Sequence, residues 1–120
     1  MKEYDYKNIK FYCGQTAIEN WALLDKSTVI NENYIWFHLN SFASPYVIMY
    51  STLDELKNIY GKHKILEILN YGATICKENS KYKFLGDLKI MYTSLKKIQK
   101  GNKVGEVIIS GKKNTIQVFT

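Results

Sequence analysis

The chain has 120 residues, of which 46% are hydrophobic and 23% are charged, as in a globular protein and unlike a disordered one. This length predicts one domain over residues 1–120. The sequence contains no apolar run of the length that a membrane helix needs. It also lacks the apolar core of a secretory signal near the N-terminus, so we expect a cytoplasmic protein without membrane association.

The positive charge is unevenly distributed. The formal net charge is +6 and every one of the 17 basic residues is lysine. Residues 1–76 hold seven lysines against eight acidic residues, whereas residues 77–120 hold ten lysines against three. This asymmetry favours a polyanionic partner, although a biased genome would also give a lysine-rich chain. Since lysine lacks arginine's planar fork, we expect salt-sensitive phosphate contacts with little base specificity.

The first predicted elements are a strand and a short helix. Lys7–Gly14 alternates between apolar and polar residues and predicts a strand. Thr16 stands three residues before Glu19, the spacing of a capping box, and predicts a helix over Ala17–Leu24. Ser27–Asn33 is polar and is interpreted as a loop.

Two strands are predicted next, in the most aromatic part of the chain. Tyr34–Asn40 alternates so that Ile35 and Phe37 share one face and Trp36 lies on the other. The break at Ser41–Pro45 is followed by Tyr46–Tyr50, which is the predicted hairpin partner.

Two helices follow these strands. Ser51 or Thr52 can cap a short helix over Leu53–Tyr60. Lys62–Ser80 carries apolar residues at helical spacing and predicts the one long helix. Its small residue Gly72 would allow the helix to lie close against a sheet.

Three further strands are predicted at Leu88–Thr93, Val104–Ser110 and Thr115–Thr120. The last two are separated by Gly-Lys-Lys-Asn, a turn signal that predicts a hairpin, and Ser94–Asn102 is interpreted as a basic loop. The predicted fold class is therefore α+β, with a mostly antiparallel sheet backed by one long helix and one or two short ones.

The sequence shows no pattern typical of a catalyst or a metal site. Cys13, Cys76, His38 and His63 lie at none of the spacings that metal ligands require, and the two thiols are expected to be reduced and buried. Glu19 is better explained as a helix cap than as a catalytic acid. We therefore expect no enzyme activity, no metal and no cofactor.

The candidate binding residues are mainly lysines, with three polar or aromatic residues beside them. The centre of the predicted surface is the segment 96–103, although such loops are commonly just solvated. Trp36 is expected to pack beneath a helix rather than to stack on bases. The lysines predicted to contact phosphate are Lys96, Lys97, Lys100 and Lys103, flanked by Lys77, Lys81, Lys112 and Lys113. The residues predicted to contact sugar or base are His38, Ser44 and Tyr46.

Several short segments, taken in order, resemble the NFACT RNA-binding domain over about residues 7–120. They are Gly14–Asn20, Ile35–His38, Ala43–Val47, Ala73–Lys77, Ser80-Lys81, Tyr92-Thr93, Lys96-Lys97 and Lys103–Gly105. Two residues depart from the family pattern: Tyr34 stands in place of an aspartate, and Tyr46 in place of a histidine. A ligand contact made by either polar residue in the family would be altered in this chain.

The resemblance implies a binding module rather than a catalyst. Relatives of this family act in ribosome-associated quality control, where they engage tRNA and the large ribosomal subunit, and another relative is linked to DNA sensing. We therefore expect RNA, either tRNA or ribosomal RNA, as the partner in a translation-linked role, with the ribosome or DNA as further partners. The alternative from another class is a protein-interaction adaptor that uses the same basic surface.

Overall fold

The structure, a computed structural model, describes residues 1–119 and has the predicted α+β architecture. The strands are β1 (Lys2–Tyr6), β2 (Ile9–Cys13), β3 (Ile35–Leu39), β4 (Val47–Met49), β5 (Asp87–Ser94), β6 (Ile98–Lys100), β7 (Val107–Ile109) and β8 (Asn114–Phe119). The helices are α1 (Ala17–Ile30), α2 (Leu53–Ile59) and α3 (Lys62–Glu78), and a 3₁₀ turn spans Leu95–Lys97.

Six strands form one antiparallel sheet in the order β1-β2-β4-β3-β5-β8. The remaining strands, β6 and β7, pair with each other as a separate two-stranded ribbon. No helix among the described residues is long and apolar enough to cross a bilayer.

The centre of the sheet is buried on both faces, and the alternation of side chains along β3 places successive residues in opposite cores. Phe37 belongs to the core beneath α3, where a Cβ on Gly72 would lie 2.6 Å from the Phe37 ring. Trp36 belongs to the opposite core, together with Leu23 and Leu24 of α1. The predicted faces of β3 and the close approach of the long helix are therefore confirmed.

Helix α1 begins at the predicted residue, after the Thr16 cap, and ends later than predicted. The Thr16 hydroxyl accepts the Glu19 backbone N–H at 3.1 Å. The segment predicted as a loop from Ser27 continues the helix to Ile30. Ser27 is fully buried and its hydroxyl is hydrogen-bonded to that of Tyr50 at 2.6 Å, so a tertiary contact holds the last turn in place.

The first strand, β1, was not predicted from the sequence. β1 pairs with β2 through a turn at Lys7 and Asn8, which have φ values of 52° and 64°. Two consecutive positive φ values are typical of the turn that matches the twist of a two-residue hairpin, and asparagine tolerates them well.

The predicted C-terminal hairpin is wrong. β7 pairs with β6 and β8 pairs with β5, so the Gly-Lys-Lys-Asn segment joins two different sheets. The predicted basic loop is also wrong in part, because it contains the 3₁₀ turn and β6. The final residue of the predicted last strand, Thr120, lies outside the described residues.

Candidate nucleic-acid interface

A groove of about 1050 Å³ opens where five segments distant in sequence meet. These segments are the start of α1, the end of β3 with the loop that follows it, the turn after α3, the middle of β5, and the turn before β7 together with β7. Side chains representative of the five segments in its lining are Thr16, His38, Lys81, Met91 and Val104.

The floor of the groove depends on a contact between Gly14 and Asn20. A Cβ at position 14 would collide with the Asn20 side-chain oxygen, which accepts the Tyr46 backbone N–H at 3.2 Å. The Gly14 N–H in turn donates to the Tyr46 carbonyl at 3.0 Å. Glycine at position 14 and asparagine at position 20 therefore act together to join the start of α1 to β4.

Tyr46 supports the wall of the groove from the interior of the protein. Its side chain has no exposed surface, and its hydroxyl donates to the Gly105 carbonyl at 2.5 Å. Burial raises the pKa of Tyr46 to about 12. The prediction that Tyr46 contacts sugar or base is therefore wrong, because its ring is enclosed and its hydroxyl holds the turn that contains Gly105.

Two further contacts fix the same turn on α1. The indole N–H of Trp21 donates to the Glu106 carbonyl at 3.1 Å. Gly105 has a φ of +91°, and a Cβ there would lie 2.9 Å from the Ala17 Cβ. Only glycine satisfies both this backbone conformation and this close approach, so Gly105 sets how near the turn comes to the groove.

His38 lines the groove as a neutral imidazole. Its ring stacks on Trp36 with centroids 5.3 Å apart, and burial lowers its pKa below the ordinary value. The Nδ1 atom lies 2.8 Å from the Leu39 carbonyl oxygen. Because a carbonyl only accepts, Nδ1 carries the proton, and Nε2 remains a hydrogen-bond acceptor.

Ser44 lies in the lining, but its hydroxyl already has partners. It accepts the Leu39 N–H at 3.0 Å and donates to the Pro45 carbonyl at 3.1 Å. These bonds use its only hydrogen and fold the loop after β3 against the end of that strand. Ser44 therefore shapes the groove and has only accepting capacity left for a ligand.

The predicted lysines do not converge on one surface. Lys81 is exposed and lines the groove, and Lys103 immediately precedes the lining residue Val104. Lys77 is fully buried, and its ammonium donates to the Lys83 carbonyl at 3.0 Å. The prediction that Lys77 flanks a phosphate site is wrong, because the turn after α3 folds back over it.

A second group of lysines lies at the opposite end of β3. Lys96 and Lys97 line a smaller recess with Ile35, whereas the main groove lies beside Leu39. At about 3.3 Å per residue, the two ends of the strand are roughly 13 Å apart. Lys112 belongs to this group, because the neighbouring residue 111 approaches the Lys97 side chain. Lys113 is exposed and continues the same loop.

Lys100 is held against α1. Its ammonium pairs with the Asp25 carboxylate and lies 5.1 Å from the centre of the Trp21 ring. Asp25 compensates part of this charge, so Lys100 contributes less to an open positive surface than its place in the sequence predicted.

The structure also assigns positions that were not predicted as site residues. Asn20, Gly105 and Phe42 all lie at the groove, and the first two belong to segments that carry the family resemblance. Phe42 had no signal in the sequence, because an isolated phenylalanine in a serine-rich turn has no periodic partner.

The two cysteine thiols are buried in the core. Cys13 and Cys76 are free and buried, as predicted. Burial raises their pKa values to about 11 and about 12, so both remain protonated thiols. Within residues 1–119, no three His, Cys, Asp or Glu side chains are grouped as metal ligands.

The fold is similar to that of a solved structure from Streptococcus suis, the C-terminal of the fibronectin/fibrinogen-binding protein. The two superpose with a TM-score of 0.78 at 21% sequence identity. The match covers 98% of this chain and 44% of that one, so this chain spans less than half of the solved structure. No protein-family model and no curated protein matches the sequence. The likeness therefore establishes the fold of the chain.

Proposed function

We propose that this chain is a non-enzymatic module that binds nucleic acid, primarily RNA such as tRNA or ribosomal RNA. The observation that carries the proposal is the convergence of five distant segments on one groove of about 1050 Å³, whose lining includes the exposed Lys81. Lys103 immediately precedes the lining residue Val104. These lysines and the hydrogen-bonding groups of the lining suit a phosphate backbone.

The family resemblance supports the same site. Five of the eight segments that carry the resemblance contribute residues to the groove lining: Gly14–Asn20, Ile35–His38, Ala43–Val47, Ser80-Lys81 and Lys103–Gly105. We therefore propose that the chain is a member of the NFACT RNA-binding family. The corresponding role is cytoplasmic and linked to translation or to ribosome-associated quality control.

His38 supports RNA over DNA as the first ligand. A neutral imidazole with a free acceptor nitrogen can receive a hydrogen bond from the 2′-hydroxyl of ribose, the group by which proteins distinguish RNA from DNA. Lys81 and Lys103 would supply charge-assisted contacts to the phosphates on either side. Such contacts position the strand and carry little sequence information.

The test is the affinity for fluorescent tRNA, single-stranded RNA and duplex DNA across a salt series. Lys81→Glu combined with Lys103→Glu should weaken RNA binding. It should also reduce the slope of log affinity against log salt by about 1.4 in magnitude, since each contact to a phosphate of a single strand contributes about 0.7. The matched control is Lys57→Glu with Lys62→Glu, which changes the charge equally. Lys62 begins α3, about 25 Å from its other end. Absence of nucleic-acid binding at low salt would refute the proposal.

The second lysine group decides how far the interface extends. Lys96→Glu combined with Lys97→Glu should weaken tRNA binding if the RNA spans the roughly 13 Å between the ends of β3. Unchanged affinity would restrict the interface to the groove. A preference for duplex DNA over RNA in the same series would replace RNA by DNA as the ligand.

A protein-interaction adaptor is the second candidate function. It is favoured by the structural likeness to a domain whose parent protein is described as binding fibronectin and fibrinogen. Capture of a protein partner that survives nuclease treatment, together with an affinity that is insensitive to salt, would support this candidate over RNA binding.

A further inference from the structure

Three aromatic residues lie at the groove or on the turn that follows α3, namely Phe42, Tyr82 and Phe84, and they are together called the aromatic patch. Phe84 is 89% exposed and Phe42 is 40% exposed. The rings of Phe42 and Tyr82 pair with centroids 4.5 Å apart, and Phe42 is itself part of the groove lining. The patch therefore continues the groove surface onto the turn that follows α3.

The patch is held in place from below. Tyr82 packs partly against the core beneath α3, and its carbonyl accepts the Leu85 N–H at 2.9 Å. The Lys83 carbonyl accepts the buried ammonium of Lys77. These contacts fix a turn whose most apolar side chain, Phe84, is directed into solvent. Because burying a phenylalanine ordinarily contributes about 1.5–3 kcal/mol, the exposed ring is unexplained by folding.

Positive charge alternates with these rings along the turn. Lys81 lines the groove, and the Lys83 ammonium lies 5.2 Å from the centre of the Phe84 ring. The nearest following carboxylate, Asp87, is bonded to the Gln117 amide. Proteins hold single-stranded nucleic acid with aromatic rings on which bases stack and with basic residues beside those rings. The turn after α3 presents both.

We propose that the aromatic patch stacks unpaired bases, so that the ligand of this module is a single strand, a loop or an end rather than a continuous duplex. The inference rests on the proposed function and narrows its ligand class. Bases in a duplex are stacked on each other and present no free face to Phe84 or Phe42. A wholly apolar protein surface docking on Phe84 would desolvate the Lys83 ammonium without compensation, whereas a nucleotide brings a phosphate to it.

The experiment compares three probes with the purified full chain: a short single-stranded RNA, its perfect duplex, and an abasic oligonucleotide of equal length. Phe84→Ala and Phe42→Ala are each expected to weaken binding of the single strand by about 10-fold, the size of one lost stacking contact. Binding of the duplex and of the abasic strand should not change in Phe84→Ala, because Phe84 lies outside the groove lining. The matched control is Val29→Ala, which truncates a side chain that is 88% exposed on α1.

Two substitutions separate stacking from general hydrophobic contact. Phe84→Trp should retain single-strand affinity because it keeps a π-face, and Phe84→Leu should lose it although the side chain remains apolar. Full affinity in Phe84→Leu, with nuclease-resistant capture of a protein that Phe84→Ala abolishes, would overturn the proposal in favour of a protein partner.

The remaining outcomes distinguish this inference from the proposed function. Equal single-strand affinity for the unmodified protein, Phe84→Ala and Phe42→Ala would overturn base stacking and leave phosphate binding intact. Equal affinity of the unmodified protein for the single strand and the abasic strand would do the same. Failure of the unmodified protein to bind any probe would refute the proposed function, and the inference with it.

Discussion

Replacement of Tyr46 by phenylalanine tests whether one buried hydroxyl holds the groove wall together. The substitution keeps the ring and removes a single oxygen. In the native structure the ring has no exposed surface, and the hydroxyl donates to the Gly105 carbonyl at 2.5 Å. The change therefore leaves the carbonyl of the half-buried Gly105 without this donor.

The free energy of unfolding should fall by about 0.5–1.5 kcal/mol, the net contribution of a hydrogen bond whose acceptor keeps some access to water. At about 2.1 cal/mol/K of unfolding entropy per residue, a chain of 120 residues should lose about 4 °C in Tm for each kcal/mol. The predicted decrease in Tm is thus about 2–6 °C. Since the turn at Gly105 borders the groove, RNA affinity should fall as well.

Circular dichroism melting and urea denaturation would measure the effect. Tyr71→Phe is the matched control, because the Tyr71 ring packs on Tyr6 and Phe11 and its hydroxyl has no hydrogen bond to the described residues. A Tyr46→Phe variant whose Tm equals that of the unmodified protein would refute the conclusion that this hydrogen bond stabilises the groove wall.

Three further predictions concern His38 and two glycines. Because burial lowers the pKa of His38, folding favours its neutral form; stability should be constant above about pH 6.5 and decrease below it, towards the folded pKa. NMR titration of the ring should give a midpoint below 6.5, and His38→Gln should reduce the decrease in Tm between about pH 6.5 and pH 5. Gly105→Ala should lower the free energy of unfolding by about 1–3 kcal/mol, because position 105 has a φ of +91° and a Cβ there would press on Ala17. Adding Ala17→Gly should restore only the part of this loss that is due to the contact, as measured by urea denaturation. Gly72→Ala should also destabilise, by about 1–3 kcal/mol, since a Cβ would lie 2.6 Å from the Phe37 ring; a raised Tm would mean that the core accommodates the methyl group.

Most of the local structure could be predicted from the sequence. The alternation in Tyr34–Asn40 identified both faces of β3, and the helical spacing after Lys62 identified α3. The caps at Thr16 and Thr52 mark the starts of α1 and α2. These signals are readable because they depend on hydrogen bonds and burial patterns within a few residues of each other.

The candidate site was predictable only in part. Segments that carried the family resemblance converge on the groove, and Lys81 lies there as expected. Lys77 looked like an exposed residue of a helix end, yet its ammonium is enclosed by the turn that contains Lys83. Tyr46 looked exposed beside a turn, yet it is covered by the docked segment around Gly105. The first outcome depends on a turn that helical periodicity does not describe, and the second on a segment that is distant in the chain.

The sequence by itself therefore determined the α+β class, the long helix and the lysine excess near the C-terminus. The tertiary structure alone decided that β7 pairs with β6, that α1 continues to Ile30 and that the lysines divide between two ends of β3. The physical reason is the range of the interactions. Periodicity and capping act between near neighbours in the chain, whereas strand pairing and burial depend on which distant segments can dock together without leaving polar groups unsatisfied.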